Sequence, residues 1–109
     1  AARVRAASSG APTTAPEPIL YVRFELEASG ASSVRLAGSF TDWQPRHELA
    51  ETRPGHWAAL VPLEPGVHDY GFVVDGERWV TDPDAIPVKD GFGGVNSRVA
   101  LLAPEFGEV

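Results

Sequence analysis

Between Leu20 and Glu27 the chain alternates without a break: Leu20, Val22, Phe24 and Leu26 are apolar, and Tyr21, Arg23, Glu25 and Glu27 carry polar groups. Successive side chains of a β-strand point to opposite faces, so this period of two buries one face and leaves the other in water. The same rule holds in shorter pieces along the chain. Val34 to Gly38 alternates, Trp57 to Leu63 lies between Pro54-Gly55 and Pro65-Gly66, and Arg98 to Leu102 closes the series. Asp75-Gly76 separates Val67 to Val74 from Glu77 to Thr81 and predicts a hairpin over 67–81, because both residues tolerate the positive φ of a type I′ turn. No segment presents a helical face. Short strands at intervals of about ten residues, with Gly and Pro between them, specify an all-β chain. The expected architecture is an immunoglobulin-like antiparallel β-sandwich of about six to eight short strands, although small barrels give a similar pattern.

A length of 109 residues suits one domain. Residues 1–18, AARVRAASSGAPTTAPEP, have the Ala, Pro, Ser and Thr content of a linker or extended N-terminal arm. The sandwich is expected over 19–103, with a tail over 104–109. Met is absent, including at position 1, which predicts a processed product or an excised piece. The longest apolar runs fall far short of the ~18–20 residues that span a bilayer, so no membrane-spanning segment is expected. Fifteen acidic residues against nine basic ones give a formal charge of -6. Phosphate-binding proteins need clustered Lys and Arg, so nucleic acid is excluded as a partner. With no Cys there is no disulfide framework, zinc thiolate or thiol nucleophile.

Catalytic constellations are equally hard to find. Asp82 and Asp84 straddle Pro83, which reads as a turn with solvated charges rather than an acid/base pair. His47, His56 and His68 lie nine and twelve residues apart, without metal-ligand spacing. No GxSxG nucleophile elbow is present. Asp90-Gly91-Phe92-Gly93-Gly94 lacks the Lys-Ser/Thr of a phosphate loop and reads as a tight corner. The chain is therefore read as non-catalytic, with no metal and no cofactor. Aromatic placement says more. Trp43 stands in a polar loop beside Asp42, Gln44 and Pro45, and Trp79 stands on a hairpin beside Arg78, both within reach of water. A flat indole matches the C–H face of a pyranose ring, whose rim of hydroxyls suits polar side chains. Trp57 starts an alternating strand and is expected in the core.

The ordered series VRLAGSFTDW over Val34 to Trp43, LEPGVHDY over Leu63 to Tyr70, Val74-Asp75-Gly76, Trp79, Asp82-Pro83 and Gly94-Val95-Asn96 resembles one family. It is similar to the glycogen-binding module of the AMP-activated protein kinase β subunit, within carbohydrate-binding module 48, which includes the N-terminal domains of isoamylases and glycogen branching enzymes. The resemblance covers residues 20–103. It implies a non-catalytic sandwich that holds α-1,4-glucan chains. Position by position, it implies that Trp43 and Trp79 stack on sugar, that Asn96 hydrogen-bonds a hydroxyl, and that Phe92 takes the place of a leucine that reaches into a curved glucan. The family's lysine and threonine contacts fall on Gly71 and Gly94, which removes two polar contacts. Arg78 or His68 is the expected substitute for the lysine.

Two functions follow. The first is a carbohydrate-binding or regulatory module for a glycogen-like α-glucan. The second is a structural or assembly subunit of an extracellular filament or surface polymer, a homo-oligomer in which the N-terminal arm pairs with the sandwich of a neighbour by strand addition. The missing Met and Cys and the Thr/Pro arm point to an exported protein, placed outside the cell or in its envelope.

Overall fold

The computed structural model describes residues 2–6 and 19–102. The expected tail over 104–109, and residues 7–18 of the expected arm, lie outside the described residues. In chain order the strands are β1 (Ala2–Ala6), β2 (Leu20–Glu27), β3 (Val34–Gly38), β4 (His47–Glu48), β5 (Ala50–Arg53), β6 (His56–Leu63), β7 (Gly66–Val74), β8 (Arg78–Val80), β9 (Ile86–Lys89) and β10 (Val95–Leu101). A 3-10 turn, Ser39–Thr41, follows β3. One sheet has the order β1-β2-β6-β5, and the other has the order β4-β3-β7-β10-β9 with β8 also on β7. All pairings are antiparallel, and the two sheets form the expected β-sandwich.

Alternation in β2 sets the core. Leu20, Val22, Phe24 and Leu26 face inward and stand opposite Leu63, Val61, Ala59 and Trp57 of β6. Tyr70, Phe72 and Val74 of β7 meet them from the second sheet, together with Val34 and Leu36 of β3. The Phe24 ring lies edge-on to Tyr70, with centroids 4.8 Å apart and planes at 71°. Such a pair adds about 0.5–1.5 kcal/mol to the stabilisation from burial alone. Trp57 is only 6% exposed, as expected, and its Nε1 donates to the Ala28 carbonyl at 3.1 Å.

The 67–81 hairpin forms where Asp75-Gly76 predicts it, with φ of 55° and 76° at the two turn residues. Strands β1, β4, β5 and β9 leave no such mark in the sequence. Ala50–Arg53 is exposed throughout, and Ile86–Lys89 contains Pro87. Edge strands of this kind tolerate Pro and need no buried face, so pairing alone holds them. Ala2–Ala6 pairs with β2 of its own chain, from Ala2 opposite Phe24 to Ala6 opposite Leu20.

Asp82 departs from its expected solvated state. It is only 4% exposed, its Oδ2 accepts the Tyr70 hydroxyl at 2.7 Å, and its backbone N–H donates to Ser97 Oγ at 2.7 Å. A buried carboxylate needs such partners, since an unpaired one would cost several kcal/mol. The end of β8 is thereby fixed to β7 and β10.

Candidate functional site

Four sequence-selected residues, Trp43, Trp79, Phe92 and Asn96, meet around one open groove of about 590 Å³ on the outer face of the second sheet. Trp43 follows the 3-10 turn, and its geometry begins with Thr41. The buried Thr41 hydroxyl accepts the Gly38 N–H at 2.9 Å and lies 3.0 Å from the Gly38 carbonyl and 2.8 Å from the Gln44 carbonyl. Asp42 and Trp43 then take left-handed φ values of 55° and 61°, and the Trp43 N–H donates to Gly38 O at 2.9 Å. A non-glycine residue adopts this region at a cost of about 1–2 kcal/mol, so the Thr41 clamp and the Gly38 bond hold the loop there. The indole is left 43% exposed.

Trp79 stands on β8 opposite Val73 and is 41% exposed. Its Nε1 donates to Val95 O at 3.1 Å, which ties the ring to β10. The ring covers Gly71: a Cβ at that position would meet Cζ2, Cε2 and Cη2 of the indole, the last two at 2.5 and 2.7 Å. The position at which the resemblance implies a lysine is therefore occupied by aromatic ring. The centroids of Trp43 and Trp79 lie 6.2 Å apart, with planes inclined at 49°. Both rings are exposed on the same face, and they form a shallow V rather than a flat shelf.

Phe92 is 94% exposed at the tip of the corner joining β9 to β10. Asp90 builds that corner. Its Oδ1 accepts the N–H groups of Phe92 at 2.7 Å and Gly94 at 2.9 Å, while its own N–H donates to Gly94 O at 3.1 Å. A Cβ at Gly94 would lie 2.5 Å from Asp90 Oδ2, so the threonine that the resemblance implies there would require the Asp90 carboxylate to shift. Asn96 lies on β10 opposite Val88, half-buried, and its carboxamide has no hydrogen-bond partner among the described residues.

The groove holds polar residues that inspection of the sequence did not select. Arg98 of β10 stands opposite Asp69 of β7, donating from Nε to Oδ1 at 2.7 Å and from Nη2 to Oδ2 at 3.0 Å. The hydrogen bonds to Asp69 raise the guanidinium's affinity for its proton above the ordinary value. Lys89, the chain's single lysine, also lines the groove. Nothing in the sequence joins Asp69 to Arg98, which are 29 positions apart, and only the strand register brings them together.

Neither expected substitute for the lysine lines this groove. His68 Nε2 lies 2.8 Å from the Glu64 carbonyl, and its ring faces Phe40 in a separate hollow. Arg78 pairs with Val74, one residue out of phase with Trp79, which turns it to the other face of the hairpin. A further hollow over the first sheet is lined by charged groups that engage one another. His56 lies 3.1 Å from Glu25 Oε1 and 3.0 Å from Glu27 Oε1, and Arg23 lies 3.3 Å from the same Glu25 oxygen. Of these three hollows among the described residues, the groove on the second sheet is the one that combines exposed Trp rings with polar groups such as Asn96.

Residues 21–106 match the family model described as the glycogen recognition site of AMP-activated protein kinase. Among curated proteins, the chain is 30% identical over 79 residues to 5'-AMP-activated protein kinase subunit beta-2 of Mus musculus, covering 72% of this chain and 28% of that protein. It is 35% identical over 78 residues to 5'-AMP-activated protein kinase subunit beta-1 of Bos taurus and of Homo sapiens, covering 71% of this chain and 27% of each. The matched segment thus spans little more than a quarter of these relatives.

These relatives overturn the expected extracellular or cell-envelope location. A kinase activated by 5'-AMP works where that nucleotide is found, inside the cell. The features that suggested export carry no compartment information of their own, because lack of Cys is compatible with either redox environment.

Proposed function

This chain belongs to the family of the glycogen recognition site of AMP-activated protein kinase, and from that premise we propose that it is a non-catalytic module that binds α-glucan in the groove between Trp43, Trp79, Phe92 and Asn96. Residues 19–103 are the working unit. The observation that carries this reading is the inclined pair of indoles, 6.2 Å apart at 49°. Two adjacent rings of an α-1,4-linked chain are turned relative to each other, so each can lie on one wall of the V. Asn96 offers both a donor and an acceptor to a sugar hydroxyl, and Phe92 supplies an apolar tip that reaches beyond the rings.

Binding is expected to be weak. A shallow groove leaves much of the sugar hydrated, and both family polar contacts are replaced by glycine. Each absent hydrogen bond removes on the order of 1 kcal/mol.

The alternative, an assembly subunit with a donated arm, receives less support. Ala2–Ala6 lies along β2 of the same chain, on the edge that a neighbour's strand would otherwise occupy. Titration with maltoheptaose, followed by tryptophan fluorescence and NMR shifts, tests the sugar reading. Perturbation of both Trp43 and Trp79 is expected, with at least about a tenfold loss of affinity in Trp43→Ala and in Trp79→Ala, equivalent to ~1.4 kcal/mol each. Unchanged indole signals at millimolar sugar would refute it.

A further inference from the structure

We propose that the Asp69–Arg98 pair is an additional sugar subsite, which takes the hydroxyls of a further glucose unit once the first units lie on Trp43 and Trp79. The inference rests on the α-glucan reading above and adds a place and a chemistry to it. Asn96 and Arg98 are two positions apart on β10, so they share the outer face, and Arg98 lies about 6.6 Å further along the strand. A chain of sugar rings crosses that step, whereas a short one resting on the indoles does not.

The chemistry of the pair fits a pair of neighbouring hydroxyls. Arg98 meets the carboxylate through Nε and Nη2, which leaves the Nη1 edge of the planar guanidinium without a partner among the described residues. Each Asp69 oxygen accepts one hydrogen bond from Arg98 and retains a lone pair. A donor and an acceptor therefore lie side by side: one sugar hydroxyl donates to Asp69 while its neighbour accepts from Arg98.

Two further observations place this pair in the binding face. The side chains of Arg98 and Asp69 are 41% and 24% exposed, so the pair is reachable while the bidentate geometry holds it still. The Asp69 N–H donates to Ser39 Oγ at 3.2 Å, in the turn that leads into Trp43, so the pair and the first indole share one support. With glycine at positions 71 and 94, neither position offers a side chain to a sugar hydroxyl, and Trp79 lies over Gly71. Among the groove residues, this fork is a pair of charged groups held in a fixed geometry by two hydrogen bonds.

Chain-length dependence tests the subsite. The full chain, Arg98→Lys and Asp69→Asn are titrated with maltotriose and with maltoheptaose, and folding is checked by thermal unfolding. The unaltered protein is expected to prefer maltoheptaose by about tenfold or more, which is 1.4 kcal/mol. Either variant is expected to reduce that preference to about threefold or less, with maltotriose affinity unchanged. Arg98→Lys keeps the charge but loses the fork, and if one variant does not fold the other carries the test. Variants that keep the full length preference, or an unaltered protein without one, overturn the subsite and leave the indole reading standing. Failure of the unaltered protein to bind either sugar overturns both.

Discussion

The Tyr70 hydroxyl donates to Asp82 Oδ2 at 2.7 Å inside the sandwich, and the same aspartate receives the Asp84 N–H on its other oxygen at 3.0 Å. Tyr70 lies on the central strand of the second sheet, and Asp82 lies just past β8, which carries Trp79. Asp82 also holds Ser97, the neighbour of Asn96. One residue thus joins the supports of two groove residues, through its carboxylate to Tyr70 and through its backbone N–H to Ser97. Asp82→Ala leaves the Tyr70 hydroxyl buried without its partner, at an expected cost of about 2–3 kcal/mol. Thermal unfolding should fall by roughly 8 °C or more, and maltoheptaose affinity should fall with it as Trp79 loses its position.

The same pair gives an alkaline signature. Burial first, and then the hydrogen bond and negative charge of Asp82, push the Tyr70 phenol well above the ordinary tyrosine range. Below about pH 10 the folded and unfolded chains both hold this proton. Above it the unfolded chain releases the proton and the folded chain does not, so stability declines as pH rises. Urea midpoints measured from about pH 8 to 11 should fall at the alkaline end, and Tyr70→Phe should flatten that decline.

Replacing Gly71 by lysine is expected to weaken sugar binding rather than restore it. The new Cβ would displace the Trp79 indole, whose Cε2 and Cη2 lie 2.5 and 2.7 Å from that position. Overpacking of this kind typically costs about 1–3 kcal/mol. The Gly71→Lys protein should show a shifted Trp emission and a lower affinity for maltoheptaose. A gain in affinity would show that the ring moves aside without consequence.

Asp90 holds the Phe92 corner through hydrogen bonds to two backbone N–H groups. Asp90→Ala should cost about 1–2 kcal/mol and should speed amide exchange at Phe92 and Gly94 above all. Gly91 and Gly93, with φ of 86° and 92°, then lose the tie that keeps the tip in one position. Glucan affinity should drop, while the melting of the core strands stays nearly unchanged.

Acid weakens a different contact. Asp75 Oδ1 accepts the N–H groups of Ser32 at 2.6 Å and Ser33 at 3.1 Å, and these bonds hold its carboxyl below the ordinary value of 3.8. The tie is fully present above that value and is lost as pH falls through the lowered one, because the unfolded chain takes up the proton first. Asp75→Asn should therefore remove part of the acid slope of stability between about pH 4 and 2, while the left-handed turn, which Asn tolerates, stays formed.

The core of this molecule was legible because it is periodic. Leu20 to Leu26 alternates, and Asp75-Gly76 names its own turn. Strands β5 and β9 were hidden because every residue of Ala50–Arg53 is exposed and Pro87 interrupts Ile86–Lys89, so their strand character comes from pairing. Trp43, Trp79, Asn96 and Phe92 could be selected from motif order, and all four line the same groove. Arg98 and Asp69 could not, because their meeting depends on the register of β7 with β10. Asp82 misled because a charge between two turn residues reads as solvated, and only the opposing Tyr70 shows why it is buried. Gly71 misled in another way: an apparent loss of a side chain is the space that an indole from the next strand fills.

The left-handed backbone at Asp42 and Trp43 is already in place before any sugar arrives. Its strain is met once, by folding around Thr41, and so a ligand has no loop to freeze. Association should therefore be fast and rigid-body in character, and tighter variants should come from slower release of the glucan, through added contacts along β10, rather than from further stiffening of the first indole.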